Sequence, residues 1–392
     1  MNFNFGGEKA TPQDIVNIKI FGCGGGGSNA VNRLVTANLG GHVEFIAANT
    51  DMMALNTVSE EVTKLQLGAK LTHGLGAGSK PEIGEQAALE SKEDIKKAIA
   101  GANLLFLTAG MGGGTGTGGI PVVASIAKEM NILTIAVVTK PFEYEGRRKM
   151  QVADGGIEKL RKEVDVLVVI PNEKAFQFVS PNTPLLNVVQ LADDVLHNSI
   201  IGITEIVMRP SLMNLDFADI DTVIRKMGTA HIGIGKAKGE NRVLQALKQA
   251  AASPLLESNI TGATQLIVSV TADMSVNGNE VREALNLITN VAAEDANIIT
   301  GLGFDESLKD EVQVTIIATG FGGGQSGSII PDIPTVDKPI KEKELIEPAF
   351  GTPPVISPLD EVAAASTIEN KEIKDDAIPG FLQRIRKLRG NN

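Results

Sequence analysis

A ten-residue segment rich in glycine and threonine, GMGGGTGTGG at residues 110–119, carries the clearest chemical pattern in this 392-residue sequence. The apolar run LLFL at 104–107 comes before it, and IPVV at 120–123 follows it. A buried strand, a glycine loop and a helix in this order bring backbone N–H groups up to a phosphate. Glycine allows the close approach, and the helix N-terminus adds partial positive charge. Since so many glycines would weaken a helix or a strand, the segment predicts a phosphate-binding loop.

Two further glycine-rich segments stand in the same kind of context. The first, GCGGGGSN at residues 22–29, follows a predicted strand at 15–21 and precedes a predicted helix at 30–39. The second, GLGAGSKP at 74–81, opens a predicted helix at 82–100, and its final proline suits a first helical position. Three glycine segments that each open a helix suggest one shared anionic ligand.

The first of these segments also supports an alternative function. Gly22, Gly24 and Gly27 match the spacing GxGxxG, and Asp51 lies 24 residues past Gly27, near where a dinucleotide-binding fold places its ribose acid. This alternative is a nicotinamide-dependent oxidoreductase. The neighbouring Cys23 is either a small packed residue or, at a helix N-terminus, a thiol of lowered pKa.

A charged turn, PFEYEGRRK at residues 141–149, follows a predicted strand at 132–138. It sets Glu145 beside three cations, the last of which is Lys149. Such a turn is either solvated surface or, because it follows the carboxyl end of a strand in an α/β sheet, part of a ligand site. Both interpretations stay open on the residues alone.

Two pairs of acidic residues flank the end of a predicted helix at 185–208. Asp193 and Asp194 lie within that helix, whereas Asp216 and Asp219 come just before the next one and either cap it or activate water or bind a cation. A helix rises about 1.5 Å per residue, so Asp193 and Asp216 lie roughly 30 Å apart. If both pairs act on one nucleotide, the second pair must come from a neighbouring subunit. Such a contact builds filaments unless it closes into a ring.

The spacing of the predicted elements divides the chain into domains. Strands alternate with helices through residues 15–184, which predicts an α/β domain with a doubly wound, mostly parallel sheet. Apolar residues at helical spacing over 185–208 predict one long central helix. Residues 209–319 are predicted to form a second, α+β domain. Its predicted strands are 228–235, 265–271, 296–302 and 312–318, and its predicted helices are 242–252 and 279–291.

The two ends of the chain differ from these domains in composition. Residues 1–14 are predicted to be flexible, and seven prolines between 331 and 358 mark 320–376 as a disordered linker. The basic segment 377–392 presents its apolar residues on one helical face, which predicts a docking peptide. Those residues are Phe381, Leu382, Ile385 and Leu388.

Composition narrows the class of protein. A formal net charge of −11 argues against bulk binding to nucleic acid, because the phosphate backbone would be repelled. No apolar run approaches the roughly 18 residues of a membrane span. The first residues, MNFNFGGEKATPQD, lack the basic and apolar regions of a signal peptide. The single cysteine suits a reducing compartment. We therefore expect a soluble, cytoplasmic protein.

Seven motifs occur in order between about residues 15 and 320: GCGGGGSN, AANTD, GLGAG, GMGGGTGTGG, PFEYEGRRK, IPN and NLDFAD. This set resembles the FtsZ family of bacterial, tubulin-like cell-division GTPases. The resemblance implies a GTP-hydrolysing domain joined by the central helix to a smaller domain. It also implies head-to-tail polymerisation into a division ring at mid-cell. Residues 378–388 resemble the family's C-terminal IPxFL peptide, which implies binding to membrane-tethering and regulatory division proteins.

The resemblance also implies roles for residues of the nucleotide site. Two of the glycine segments would hold the phosphates of GTP. Their residues are Gly25, Gly26, Gly27, Ser28, Asn29, Gly112, Gly113, Gly114, Thr115, Gly116 and Thr117. Glu145 and Lys149 would contact the ribose and neighbouring groups. The family usually has arginine where this chain has Lys149, which keeps the charge but loses the planar fork.

The remaining implied roles concern the base and the hydrolytic water. Asn172 and either Asp193 or Asp194 would bind guanine, with Asp193 favoured by its place before X-Val-Leu. Three residues would complete the site of the adjacent subunit and position the attacking water with a hydrated Mg²⁺. They are Asn214, Asp216 and Asp219. Asp51 is a candidate contact to the ion through water.

Overall fold

The computed structural model describes residues 16–37, 39, 43–180, 182–208, 217–225, 228–251, 263–292, 296–305 and 308–320. All of them belong to one unit, residues 1–333. The proposed N-terminal segment, the proposed linker beyond Gly320 and the proposed docking peptide lie outside the described residues. The proposed domain boundaries at 184 and 208 stay predictions.

Seven parallel strands form the first sheet, in the order β3-β2-β1-β4-β5-β6-β7. They are β1 (Ile18–Cys23), β2 (Val43–Asn49), β3 (Thr63–Gln66), β4 (Leu104–Gly110), β5 (Leu133–Lys140), β6 (Val166–Pro171) and β7 (Gly228–Thr229). The order reverses between β1 and β4, and a doubly wound sheet binds its ligands at the carboxyl ends of the strands beside such a point. The predicted fold class is confirmed.

Helices cover both faces of this sheet. They are α1 (Gly24–Leu34), α2 (Met52–Asn56), α3 (Ala69–Thr72), α4 (Pro81–Glu90), α5 (Lys92–Ile99), α6 (Thr115–Glu129), α7 (Arg147–Arg161), α8 (Leu185–Met208) and α9 (Phe217–Ile224). Side chains of β4 alternate between the two faces of the sheet. Leu104 and Phe106 pack with α1 and α8, whereas Leu105 and Leu107 pack with α4 to α7. Across the described residues, none of the helices combines the length and apolarity that a bilayer crossing requires.

A second, mixed sheet follows, in the order β10-β9-β11-β8. Its strands are β8 (His231–Lys238), β9 (Gln265–Ala272), β10 (Asn297–Phe304) and β11 (Glu311–Thr319). Helices α10 (Arg242–Ala251) and α11 (Gly278–Val291) pack in one apolar layer with this sheet. Helix α8 contributes to the layer on the other face, where Ile203 and Ile206 belong to one cluster with Ile232, Ile267 and Ile317. The long central helix thus links the two sheets, as predicted.

Two of the three helices that follow glycine segments begin well before the residues that the sequence predicts. Helix α1 begins at Gly24 rather than at residue 30, and α6 begins at Thr115, inside the glycine-threonine segment. The cause is close packing: a Cβ on Gly118 would lie 1.9 Å from the carbonyl oxygen of Pro81 at the start of α4. Tertiary contacts that only glycine permits outweigh its poor helix propensity here.

Two other predicted elements are divided in the structure. The predicted helix at 82–100 is α4 and α5, separated by Ser91, whose side-chain oxygen accepts the Gly68 N–H at 3.0 Å. The predicted strand at 228–235 is split at Ala230, so that β7 pairs with β6 in the first sheet and β8 joins the second. The short strand β3 was not predicted.

The contrast between two helical glycines gives a test of this packing. We expect Gly118→Ala to destabilise the protein by at least about 2 kcal/mol, because the new methyl group meets the backbone of α4. Gly155→Ala in α7 is the matched control, since a Cβ there meets nothing within 4 Å, and it should stabilise by about 0.5–1 kcal/mol. Urea unfolding followed by circular dichroism measures both changes. Equal midpoints for the two variants would contradict the packing argument.

Candidate functional site

Three glycine segments converge at the carboxyl ends of the first sheet. A Cβ on Gly24 would lie 2.7 Å from the amide nitrogen of Gly116, and one on Gly26 would lie 3.1 Å from that of Gly110. A Cβ on Gly114 would lie 2.9 Å from the amide nitrogen of Lys80. The segments after β1 and β4 and the loop before α4 therefore touch backbone to backbone. The first two flank the point where the strand order reverses.

The glycines of these segments fall into two groups. A Cβ on Gly25 or Gly113 would meet nothing within 4 Å, so these two leave open space at the convergence of α1 and α6. Others are packed: a Cβ on Gly27 would lie 2.4 Å from the carbonyl oxygen of Thr108. Ser28 is buried as well, and Asn29 is exposed. The N-termini of α1 and α6 thus bring partial positive charge to a space that an anion can enter.

Threonine hydroxyls hold the segment after β4 in place. The Thr117 Oγ1 accepts the Gly112 N–H at 2.8 Å within that segment. The Thr115 Oγ1 lies 2.6 Å from the Thr50 Oγ1 at the end of β2, and both residues are buried. The sequence pattern identified the two threonines of the segment but gave no indication of Thr50 as a partner.

Cys23 sits at the N-cap of α1, directly beside these segments. Its side chain is fully buried, and burial raises the pKa of the thiol to about 12. The Sγ lies 3.5 Å from the carbonyl oxygen of Thr115. Of the two interpretations of this cysteine, the structure supports the small packed residue, because desolvation outweighs the effect of the helix N-terminus.

Asp51 is the N-cap residue of α2. Its Oδ1 accepts the N–H groups of Met53 at 2.8 Å and Ala54 at 3.2 Å. Its backbone pairs with Leu75 in an isolated antiparallel bridge. The carboxylate therefore lies next to the loop 74–78, with one oxygen engaged in capping.

Glu145 and Lys149 form an ion pair between a short 3₁₀ helix, Glu143–Glu145, and α7. The Glu145 Oε1 also accepts the N–H of Phe142 at 2.9 Å. A Cβ on Gly112 would lie 2.8 Å from the Lys149 Cγ, so the lysine stem packs on the segment after β4. The structure brings this charged turn to the glycine segments.

Asn172 follows β6 directly, at the same edge of the sheet. Its Oδ1 is buried, and no group in the part of the chain that the structure describes donates a hydrogen bond to it. A buried acceptor without a donor costs free energy unless a ligand or water supplies one. The side chain is thus suited to accept an N–H from a bound molecule.

The acidic pair of α8 faces α1. Arg33 contacts Asp194 directly, and its Nη1 lies 3.8 Å from the Asp193 Oδ2. Desolvation raises the pKa of Asp193, and the positive charge of Arg33 opposes that rise. Gly25, Asn29 and Arg33 are spaced four apart on α1 and so share one face. This face of α1 extends from the open space at the glycine segments to the acidic pair. Sequence patterns did not indicate that these two features are neighbours.

The three predicted water-positioning residues are Asn214, Asp216 and Asp219, and their roles stay predictions. Asn214 and Asp216 lie outside the described residues, as does the side chain of Asp219. Helix α9 begins at Phe217, so Asp219 is its third residue rather than a cap before it, contrary to one of the two interpretations.

Helix α9 ends at the opposite edge of the sheet. Just after it, the Arg225 Nη1 donates to the Asn131 Oδ1 at 3.4 Å, and Asn131 precedes β5. The amide of Gly228 donates to the carbonyl of Asp165, which precedes β6. An eight-residue helix is about 12 Å long, and strands of seven or eight residues are about 25 Å long. Asp219 therefore lies in the half of the sheet away from the glycine segments.

Comparison with known proteins identifies both parts of the chain. A model of the Tubulin/FtsZ family, GTPase domain, matches residues 17–180, and a model of the FtsZ family, C-terminal domain, matches residues 228–322. The solved structure of an FtsZ dimer from M. jannaschii is 40% identical, with 83% of this chain and 96% of that chain covered and a TM-score of 0.75. A mutant of FtsZ from the same source is 43% identical over 79% of this chain and 92% of that one, with a TM-score of 0.74.

A more distant structure shares the fold alone. It is a GTPgS-bound protofilament of CetZ2 from Haloferax volcanii, 17% identical over 79% of this chain and 95% of that one, with a TM-score of 0.68. These similarities to tubulin-like proteins do not support the nicotinamide-dependent oxidoreductase alternative.

The buried thiol of Cys23 gives a direct test of the packing beside α1. We expect its reaction with dithiobis-nitrobenzoate at pH 8 to be at least about a hundredfold slower in the native protein than in guanidinium, because the raised pKa removes the thiolate. The unfolded chain should release one equivalent of reporter, since it has one cysteine. Rapid stoichiometric reaction of the folded protein would rule out the buried, protonated thiol.

Proposed function

Because the chain belongs to the FtsZ family of tubulin-like, cell-division GTPases, we propose that this cytoskeletal GTPase assembles head to tail, each subunit completing its neighbour's active site. GTP would bind at the three glycine segments of one subunit. Asn214, Asp216 and Asp219 of the next subunit would orient the water that attacks the terminal phosphate.

The separation of the two halves of the site carries this proposal. The glycine segments lie at the carboxyl edge of the first sheet, whereas α9, with Asp219, ends at the amino edge. The glycine segments and α9 of one subunit therefore cannot contact the same nucleotide. Stacking the amino edge of one subunit on the carboxyl edge of the next would unite them. Such a contact uses different surfaces on the two partners and so propagates into a filament.

An apolar rim around the glycine segments supports the same arrangement. Among the described residues, ten large apolar side chains are exposed, and eight of them follow carboxyl ends of strands of the first sheet or begin α8 beside those ends. These eight define the apolar rim: Met52, Met53, Leu71, Leu75, Tyr144, Phe176, Leu185 and Leu186. Exposed apolar side chains grouped in this way mark protein contacts. The related FtsZ structure described as a dimer agrees with self-association.

Within one subunit, each group of the nucleotide has a proposed partner. The open space at Gly25 and Gly113 would admit the phosphates, with Lys149 beside them. The Oδ1 of Asn172, which is buried and has no donor among the described residues, would accept an N–H of guanine. A carboxylate of the Asp193–Asp194 pair would accept the remaining N–H groups, and the choice between the two stays a prediction.

Magnesium would bind mainly through the phosphates and water. No group of three or more His, Cys, Asp or Glu side chains suited to a metal occurs among the described residues. That fits Mg²⁺, which usually keeps several waters and takes one or two carboxylates besides the phosphates. Asp51 would contact it through water, since capping of α2 engages only its Oδ1. The ion would supply positive charge that neutralises the phosphate oxygens.

The cellular setting is proposed on the same basis. Family membership supports action in the cytoplasm at the mid-cell division site. Residues 378–388, which lie outside the described part of the chain, would bind membrane-tethering and regulatory division proteins.

Hydrolysis should depend on contact between subunits. We expect GTP turnover per subunit to rise with protein concentration above a threshold, as measured by phosphate release. Asp216→Ala should retain GTP binding and lower turnover by about a hundredfold or more, because only the attack of water is affected. Turnover independent of concentration would contradict the shared site. Loss of GTP binding in the variant would mean that Asp216 serves its own subunit.

The apolar rim should be needed for assembly and not for nucleotide binding. Leu186 is 66% exposed at the start of α8, so Leu186→Glu should fold normally and raise the concentration needed for GTP-dependent sedimentation by about tenfold. Leu89→Glu is the matched control, because Leu89 is 53% exposed on α4, outside the rim. GTP affinity measured below the assembly threshold should be unchanged in both. Equal sedimentation of the two variants would remove the rim from the interface.

A further inference from the structure

Thr50 joins the glycine-threonine segment to a neighbouring loop. It follows β2 and is fully buried. Its Oγ1 lies 2.6 Å from the Thr115 Oγ1 in the first turn of α6. Its carbonyl oxygen accepts the Thr72 hydroxyl at 3.3 Å and the Gly76 N–H at 3.2 Å. One residue thus contacts the candidate phosphate site with its side chain and the loop 72–78 with its backbone.

The loop held by Thr50 carries part of the apolar rim. Leu75 pairs with Asp51, the residue after Thr50, and the Met52 amide donates to the carbonyl of Gly74 at 3.1 Å. Residues 50–53 and 74–76 are therefore tied together by main-chain bonds. Leu75 and Met53, at 87% and 80% exposure, project from this unit. A displacement of Thr50 would move both of these side chains.

The direction of the hydrogen bond between the Thr50 and Thr115 hydroxyls depends on what binds at Thr115. Each threonine hydroxyl donates one hydrogen bond and accepts others. When a phosphate oxygen takes the proton of Thr115, the Thr50 hydroxyl must be the donor in the bond between them. Hydrogen bonds linked in this way strengthen one another in a buried setting. Without the phosphate, either hydroxyl can donate in the hydrogen bond between Thr50 and Thr115. That bond is then no longer strengthened by a second one.

We propose that Thr50 is a positioning residue that couples the terminal phosphate of GTP, bound at Thr115, to the part of the apolar rim formed by Met53 and Leu75. Through it, the nucleotide controls the affinity of one subunit for the next. This inference rests on the proposed function, because it takes GTP as the ligand and a second copy of the chain as the partner.

Three threonine variants test the coupling. Thr50→Val removes the hydroxyl at nearly constant volume, and Thr50→Ser restores it. Thr134→Val is the matched control, since Thr134 is 1% exposed in β5 and, among the described residues, its hydroxyl donates to the nearby carbonyl of Ile132 alone. The measurement is the ratio of the critical concentrations for sedimentation in GDP and in GTP, with GTP affinity determined below the assembly threshold.

The ratio of the critical concentrations in GDP and in GTP distinguishes a loss of coupling from a general loss of structure. We expect wild type, Thr50→Ser and Thr134→Val to need at least about tenfold more protein in GDP than in GTP, a typical size for coupling between sites. Thr50→Val should bind GTP but show a ratio within about twofold of one. A wild-type ratio in Thr50→Val would overturn the role of Thr50 alone. Wild-type protein that fails to sediment preferentially with GTP would overturn the proposed function, and this inference with it.

A second measurement needs no variant. Hydrogen exchange of residues 74–76 in wild-type protein, held below the assembly threshold, should be slower with a non-hydrolysable GTP analogue than with GDP, because the Gly76 amide is bonded to Thr50. Equal exchange in the two states would overturn the coupling even if Thr50→Val does not fold.

Discussion

Direct backbone contact between glycine segments is the constraint on which the other features of the site depend. At the point where the strand order reverses, α1 and α6 begin so close together that a Cβ on Gly24 would lie 2.7 Å from the amide of Gly116. Any larger residue would force the helices apart. Their convergence brings two helix N-termini to one space, and it lets the loop before α4 close against Gly114. The candidate anion site is a consequence of how these helices pack.

This arrangement divides the chemistry between the two edges of the sheet. The carboxyl edge gathers N–H donors, Lys149 and the acceptor of Asn172, whereas α9 ends at the amino edge. The parallel sheet keeps the two apart by the length of its strands, about 25 Å. Under the proposed head-to-tail assembly, a neighbouring subunit would supply the groups that act on the nucleotide from the amino edge. The apolar rim lies where that neighbour would dock.

Contacts between residues far apart in sequence complete the site. Arg33 meets Asp194 from 161 positions away, and Thr50 meets Thr115 from 65. Neither contact leaves a local pattern, because periodicity reports only the face of one helix or strand. For the same reason, local patterns did not foresee the split of residues 228–235 between two sheets, or the start of α1 at Gly24. In each case the deciding neighbour lies in another segment.

Apolar periodicity was sufficient to predict the alternation of strands and helices in a parallel sheet and the presence of a long central helix, and the motifs carried the resemblance to the family. The predicted elements follow from residues within short windows of sequence, whereas the resemblance rests on seven motifs spread between about residues 15 and 320. The folded chain was needed to establish which glycines pack and which leave space, which acid meets Arg33, and where the exposed apolar side chains collect. Those outcomes depend on the strand order of the sheet, because it sets the distance between segments that no local pattern relates.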